Sequence, residues 1–183
     1  LLFWLKLFDV RNSTTQFVTL LIILVANLGF YFVAVATTVS EAILGQKIGY
    51  VCGVFMPAFY FLMVLEICHI NIKTYISAIL LAIQCAIYGV VCTIGTNDLF
   101  YKNVSIDTVT GISVLVREYG QLHGIYIVSM FLYLLASIVV AIYSVTKKKN
   151  INRGSVIAMI GFLILGVGVY VFEKAIHYTF ELA

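Results

Sequence analysis

The chain has 183 residues, of which 63% are hydrophobic and only 10% are charged, and its mean hydropathy is +1.10. A soluble domain carries about a quarter charged residues, so no water-soluble fold of this size could bury so much apolar surface. The composition therefore predicts an integral membrane protein. With only one proline and 13 glycines, the chain has few turn-forming residues, which favours membrane helices over a β-barrel. The net charge of +3 is too small and too scattered to indicate a nucleic-acid partner.

Five apolar runs are long enough to cross the hydrocarbon core of a bilayer, which takes about 20 residues. We predict an all-α membrane protein, a polytopic helical bundle with spans at about residues 17–37, 44–67, 74–94, 122–145 and 155–172. The chain starts without a methionine, inside the apolar stretch "LLFWLKLF", which is typical of a piece of a longer protein. Residues 1–183 are therefore expected to form one transmembrane domain of a multi-pass protein of the cell membrane, with the lipid bilayer as its surroundings.

The second predicted span carries three distinctive residue patterns. Thr38 and Glu41 have the spacing of a capping box, which predicts a helix start, although Glu41 could instead border a polar pocket. Lys47 lies about two turns deeper, where its side chain can extend outward or line the same pocket. Pro57 lies in mid-span and removes one backbone hydrogen bond, so it predicts a helix kink.

A polar insert at about residues 97–120 separates the third and fourth predicted spans, and its pattern is that of a β-hairpin. Apolar and polar residues alternate along residues 103–106 and again along 112–117, and "DTVTG" between them is typical of a turn. We predict that residues 99–106 pair antiparallel with residues 112–119. Because a two-stranded hairpin is marginal alone, its apolar face is expected to cover the mouth of the bundle.

The distribution of Lys and Arg orients the chain, since these residues prefer cytoplasmic loops. If the start of the chain is inside, seven cations are inside and four are outside, and the "TKKKNINRG" loop decides the difference. The hairpin is therefore predicted to be extracytoplasmic. Five spans would place Ala183 outside, so a cytoplasmic output domain would need at least one further span.

Polar and aromatic residues gather at the outer level of the predicted bundle and form a candidate ligand-binding set: Glu41, Lys47, Tyr50, Asn97, His123 and Tyr126. They come from the second span, the end of the third and the start of the fourth, which a bundle brings together. We predict that Lys47 and His123 face one cavity roofed by the hairpin. The spacing of Glu173, His177 and Glu181 could hold a metal but favours an exposed polar face, and the sequence predicts neither a metal, nor a cofactor, nor a catalytic set.

Several of these residues also match a known bacterial module. The segment "VATTVSEAILGQKIGYVCGVFMPAFYFLMVLEIC", followed by "TNDLFY" and "YGQLHGIY", resembles the seven-transmembrane input region at the N-terminus of histidine kinases and diguanylate cyclases. The resemblance covers about residues 17–143. One departure is Gly120-Gln121, where the family usually has Gly-Pro, and "LLFWLKLF" alone would represent the first family helix, with the seventh missing.

The resemblance implies a non-enzymatic sensor that passes an external or membrane stimulus to a downstream histidine kinase or diguanylate cyclase domain of the same chain. The expected partners are an unidentified small ligand, that output domain and, as a further candidate, a second copy of the chain. A transporter or channel subunit is the alternative, but the spans lack a central charged relay and paired interrupted helices. An intramembrane enzyme is disfavoured because Glu66 and His123 lie at opposite membrane faces.

Overall fold

The computed structural model describes residues 14–109, 112–147 and 152–180. This part of the chain forms five helices and one hairpin, in the order α1 (Thr14–Ala34), α2 (Val39–Ile67), α3 (Thr74–Val91), β1 (Tyr101–Val109), β2 (Ile112–Tyr119), α4 (His123–Lys147) and α5 (Arg153–Phe180). Outside the described residues lie the stretch "LLFWLKLF", residues 110–111 of the predicted turn, Lys148, Lys149 and Glu181.

Four of these helices are long and apolar enough to cross a membrane: Phe17–Ala34, Val39–Ile67, Thr74–Val91 and His123–Lys147. The first four predicted spans are thereby matched by helices. Helix α5 has 28 residues, and within the described residues its apolar part is Arg153–Leu165, so the fifth span stays a prediction. The molecule is thus a multi-pass helical protein with a small two-stranded sheet.

The predicted boundary between the first two spans is displaced, for a local chemical reason. Helix α1 ends at Ala34, before the predicted residue 37, and α2 begins at Val39, before the predicted residue 44. The Thr38 side chain accepts a hydrogen bond from the Glu41 N–H, and the Glu41 carboxylate accepts from the Thr38 N–H. This capping box, which the sequence predicted, starts α2 earlier than the apolar run alone indicated.

Glycines let α1 and α2 approach closely. A Cβ on Gly29 would lie 2.3 Å from the backbone nitrogen of Gly49, and one on Gly45 would lie 2.7 Å from the nitrogen of Val33. Gly45-x-x-x-Gly49 is a small-xxx-small pattern of the kind that packs membrane helices backbone to backbone. The close contact fixes α1 against the first half of α2.

Hydrogen bonds between side chains and neighbouring helices join α3 to α4 inside the apolar layer. The buried Gln84 amide donates to the Ser129 hydroxyl at 2.9 Å, and the Tyr133 hydroxyl donates to the Leu80 carbonyl at 3.2 Å. Such bonds hold membrane helices together where lipid offers no alternative partner. They fix the position of α4, whose first residues lie beneath the hairpin.

Strands β1 and β2 pair antiparallel, as the sequence predicted, but the pairing extends from Tyr101↔Tyr119 to Val109↔Ile112. Residues 107–109, predicted as part of the turn, therefore belong to β1, which begins at Tyr101 and not at residue 99. One extra residue in β1 between Tyr101 and Val104 forms a β-bulge. Because of the bulge, Tyr101 and Val104 face the bundle although they are three residues apart.

On β2 the buried face is the one that carries Leu115. Val114 and Val116, the apolar residues of the alternating pattern, are 40% and 51% exposed on the opposite face. The alternation was therefore predicted correctly, but hydrophobicity alone does not identify the face of β2 that contacts the helices.

Candidate functional site

The hairpin contacts the helices through a cluster of six rings, the hairpin cluster: Tyr50, Phe100, Tyr101, Tyr119, His123 and Tyr126. Phe100 and Tyr101 are almost completely buried. The Phe100 ring lies 5.2 Å from Tyr50 and 5.0 Å from His123, between ring centroids. Edge-to-face and tilted packing at such distances adds to the hydrophobic gain of burial. The cluster joins α2, α4 and the hairpin into one unit.

A buried hydrogen bond connects the hairpin to α2 inside this cluster. The hydroxyl oxygens of Tyr50 and Tyr101 lie 2.5 Å apart, and either group can donate. Burial raises the pKa of the Tyr101 phenol, while the nearby Arg117 guanidinium opposes the shift. The Arg117 guanidinium carbon also lies 5.7 Å from the centroid of the Tyr101 ring, a cation–π distance. Tyr101 is therefore held from both the helix and the neighbouring strand.

A second hydrogen bond attaches the hairpin to α1. The Ser113 hydroxyl on β2 donates to the carbonyl of Ala36, just after the end of α1, at 2.6 Å. This carbonyl belongs to the short connection between α1 and α2, where helix ends leave backbone groups without partners. The hairpin is thus fastened at two points, through Tyr101 on β1 and Ser113 on β2.

His123 lies at the centre of the ring cluster, at the first residue of α4. Its ring is buried and lies 4.1 Å from the ring of Tyr119 and 5.8 Å from that of Tyr126. It is stacked on Tyr101 at 6.0 Å. Aromatic rings surround the imidazole on several sides, so its faces contribute to the packing and its ring nitrogens add a polar edge to the cluster.

Tyr126 extends the cluster to the middle of α2, where glycine makes room for it. A Cβ on Gly53 would lie 2.7 Å from the Tyr126 hydroxyl. The Tyr126 ring packs edge-on against Tyr50 at 5.4 Å. Pro57 lies one turn further along α2 and is buried. The helix continues through Pro57 from Val39 to Ile67.

The structure brings together three of the six sequence-predicted residues, Tyr50, His123 and Tyr126. Glu41 accepts hydrogen bonds from Thr37 as well as in the capping box, and it is exposed. The Asn97 side chain accepts from the Leu99 N–H at 3.2 Å and supports the turn before the hairpin. These two residues therefore have local structural roles at the rim of the site.

Lys47 is half-buried one turn before Tyr50, and its carbonyl accepts a hydrogen bond from the Tyr88 hydroxyl of α3 at 3.2 Å. The backbone at Lys47 is thus in contact with α3. That its side chain shares a cavity with His123 stays a prediction.

Sequence reasoning missed Phe100, Tyr101, Tyr119 and Arg117, which carry much of the contact between hairpin and helices. The dipeptide Phe100-Tyr101 at the start of β1 was a detectable signal, because two adjacent large rings beside a span are expected to pack against it. Gly120 was another. A Cβ there would lie 2.4 Å from the carbonyl oxygens of Asp98 and Leu99, so only glycine fits between β2 and α4.

Within the described residues no group of three His, Cys, Asp or Glu side chains could hold a metal ion. The side chains of Glu173 and His177, like all of Glu181, lie outside the described part. The hairpin cluster offers buried hydroxyls, an imidazole and aromatic faces, which suit recognition and conformational coupling better than bond-breaking chemistry.

A family model described as the N-terminal 7TM region of histidine kinase matches residues 1–181 of the chain. No curated protein and no solved structure matches the chain.

Proposed function

Since the chain belongs to the family of N-terminal 7TM regions of histidine kinases, we propose that it is the sensory input module of a signalling protein in the plasma membrane. An external or membrane stimulus would act on the hairpin end of the bundle. The helices would pass the resulting change in packing to a cytoplasmic kinase domain of the same polypeptide. The family is a sensory region that is not itself catalytic, and a diguanylate cyclase output has no support beyond the resemblance in sequence.

The proposed orientation places the hairpin outside and includes α5 as a fifth span. In this orientation the outer segments hold four cations, Lys47, Lys102, Arg117 and Lys174, and the inner segments hold seven, Lys6, Arg11, Lys73, Lys147, Lys148, Lys149 and Arg153. The loop that follows α4 in the sequence decides the balance. Single cysteines test this orientation. An impermeant thiol reagent applied to intact cells is expected to modify Ser105→Cys and to leave Asn150→Cys unmodified, and the reverse pattern would contradict it.

The observation that carries the proposal is the buried hydrogen bond between Tyr50 and Tyr101. A sensor needs an element that an outside event can displace and a connection from that element to the membrane helices. The hairpin is such an element, because the face that carries Val114 and Val116 is exposed while Tyr101 contacts α2. A change in the position of the hairpin would therefore be transmitted through Tyr101 directly to α2, the longest membrane helix of the described chain.

The proposed ligand-binding set is that named from the sequence: Glu41, Lys47, Tyr50, Asn97, His123 and Tyr126. Lys47 would favour an anionic headgroup, and the rings of the hairpin cluster would favour its apolar part. Replacing Lys47 with alanine in the full-length protein is then expected to weaken the response to the stimulus while membrane insertion is unchanged. An unchanged response would assign Lys47 to membrane anchoring alone.

The decisive experiment measures kinase output in the full-length protein. Tyr101→Phe keeps the ring and removes the hydroxyl that bonds Tyr50, which alters the balance of two packing states by about 1 kcal/mol, or about fivefold in population. We expect basal autophosphorylation to change by about that factor. The matched control is Tyr143→Phe, at an exposed position of α4. Equal output from wild type and Tyr101→Phe, at equal membrane abundance, would refute the proposal.

A further inference from the structure

Helix α2 takes part in two separate groups of buried residues. Near the hairpin it contributes Tyr50 to the hairpin cluster. At the opposite end it contributes to an aliphatic group, the distal cluster: Val64, Ile67, Cys68, Ala141, Val156 and Met159. Pro57 lies in α2 between the two groups, so each cluster holds a different part of one helix.

Two residues at this junction reduce the constraint on the backbone of α2. Proline has no N–H, so the carbonyl of Gly53 lacks the hydrogen bond that residue 57 would otherwise donate in the helix. Glycine at position 53 adds no side chain that could stiffen the turn. The nearest neighbour on that side is the Tyr126 hydroxyl, an end group of the hairpin cluster. A missing bond and a glycine in the same turn are the features at which membrane helices bend.

Each side of the junction is fastened by a tyrosine hydroxyl to a different element. Tyr50 bonds Tyr101 of the hairpin, as described above. Tyr60 donates to the carbonyl of Met159 in α5 at 2.7 Å. A small apolar cavity borders Tyr60 and Met159 between α2, α4 and α5.

We propose that the turn from Gly53 to Pro57 is a hinge that divides α2 into an arm controlled by the hairpin and an arm that moves α5. While Tyr50 holds Tyr101, the first arm is fixed and the hinge is at rest. When the hairpin is displaced, the hinge bends, and Tyr60 carries α5 with the second arm. The physiological meaning of this movement rests on the proposed sensory function, but the hinge itself is a property of the helix.

A distance measurement between spin labels tests the hinge without any kinase activity. The full chain, with its four cysteines replaced by alanine, is reconstituted in lipid and labelled at Phe17 of α1 and Glu66 of α2, both exposed. The arm from Pro57 to Glu66 is about 15 Å long, so a bend of about 20° displaces its end by about 5 Å. Tyr101→Phe is expected to shift or broaden the distance distribution on that scale.

Two matched controls locate the movement. A label pair at Tyr31 and Leu44, at the hairpin end, is expected to stay unchanged in Tyr101→Phe. In Pro57→Ala, which restores the backbone donor, Tyr101→Phe is expected to leave the Phe17–Glu66 distance unchanged as well. The hinge is overturned if Tyr101→Phe gives no shift, or if it gives the same shift with and without proline.

The outcome is separable from that of the proposed function. A Phe17–Glu66 shift with unchanged autophosphorylation would keep the hinge and refute the sensory role. Altered autophosphorylation without a distance shift would keep the sensory role and refute the hinge.

Discussion

The two ends of the bundle are held together by different kinds of contact. The hairpin cluster consists of rings with polar groups, packed at defined angles and tied by a hydrogen bond between Tyr50 and Tyr101. The distal cluster consists mainly of small and aliphatic side chains, and Tyr60, which packs against it, donates a hydrogen bond to the carbonyl of Met159. Ring clusters with hydroxyls specify one geometry, whereas aliphatic packing tolerates small shifts. The contrast teaches that the hairpin end has one defined geometry, whereas the packing of the distal end can adjust.

The largest expected effect is the difference in stability between two glycine substitutions, one at the close contact of α1 with α2 and one in α5. Gly29→Leu would force a side chain into the backbone of α2 at Gly49, which is expected to cost about 3 kcal/mol or more and to abolish the folded monomer. Gly161→Ala in α5 meets nothing within 4 Å and is expected to be nearly neutral. Fluorescence-detected size exclusion and thermal unfolding in detergent would measure both. A folded, thermally stable Gly29→Leu protein would show that the close α1–α2 contact is dispensable.

Truncation of one buried side chain in each cluster tests whether the clusters act on the hairpin differently. Phe100→Ala and Met159→Ala are each expected to reduce the free energy of unfolding by about 2–5 kcal/mol, because both leave a cavity. Only Phe100→Ala should loosen the hairpin. With a cysteine in place of Val104, which is partly buried against the helices, as a probe, thiol modification should become faster in Phe100→Ala and stay unchanged in Met159→Ala. Equal rates in the two variants would remove the distinction between the ends.

The smallest expected effect concerns the Tyr50–Tyr101 bond itself. Removal of either hydroxyl by substitution with phenylalanine should reduce the free energy of unfolding by about 1 kcal/mol. The double variant should lose little more than either single variant, since both remove the same bond. The difference gives a coupling energy from a double-mutant cycle of unfolding measurements. Fully additive losses would mean that each hydroxyl has another important partner.

The features that could be predicted from the sequence depend on neighbouring residues in the chain. Thr38 and Glu41 are three residues apart, and the two hairpin arms adjoin one turn, so periodicity and spacing were sufficient. Gly45-x-x-x-Gly49 is also a local pattern, and it would have predicted the close contact between α1 and α2.

The remaining features depend on residues far apart in the chain. Tyr50 and Tyr101 are 51 residues apart, and Gln84 and Ser129 are 45 apart. Nothing in the local pattern of either residue selects its partner, because many polar groups at the same depth could serve. The same limit explains why Tyr50, His123 and Tyr126 were correctly placed together by depth, while the rings of the hairpin that join them were missed.

The β-bulge of β1 has a consequence for how this hairpin can change in length. A regular strand alternates its faces with a period of two, so residues an odd number apart face opposite sides. The extra residue before Val104 cancels this change of face, and both Tyr101 and Ile106 therefore turn toward the helices although they are five residues apart. If all residues of β1 paired regularly without the bulge, Ser105 and Asp107 would take the places of Val104 and Ile106 against the membrane helices. Deletion of the extra residue would instead restore regular pairing with the same side chains on the bundle face, so the base of the hairpin can lose one residue without exchanging its two faces.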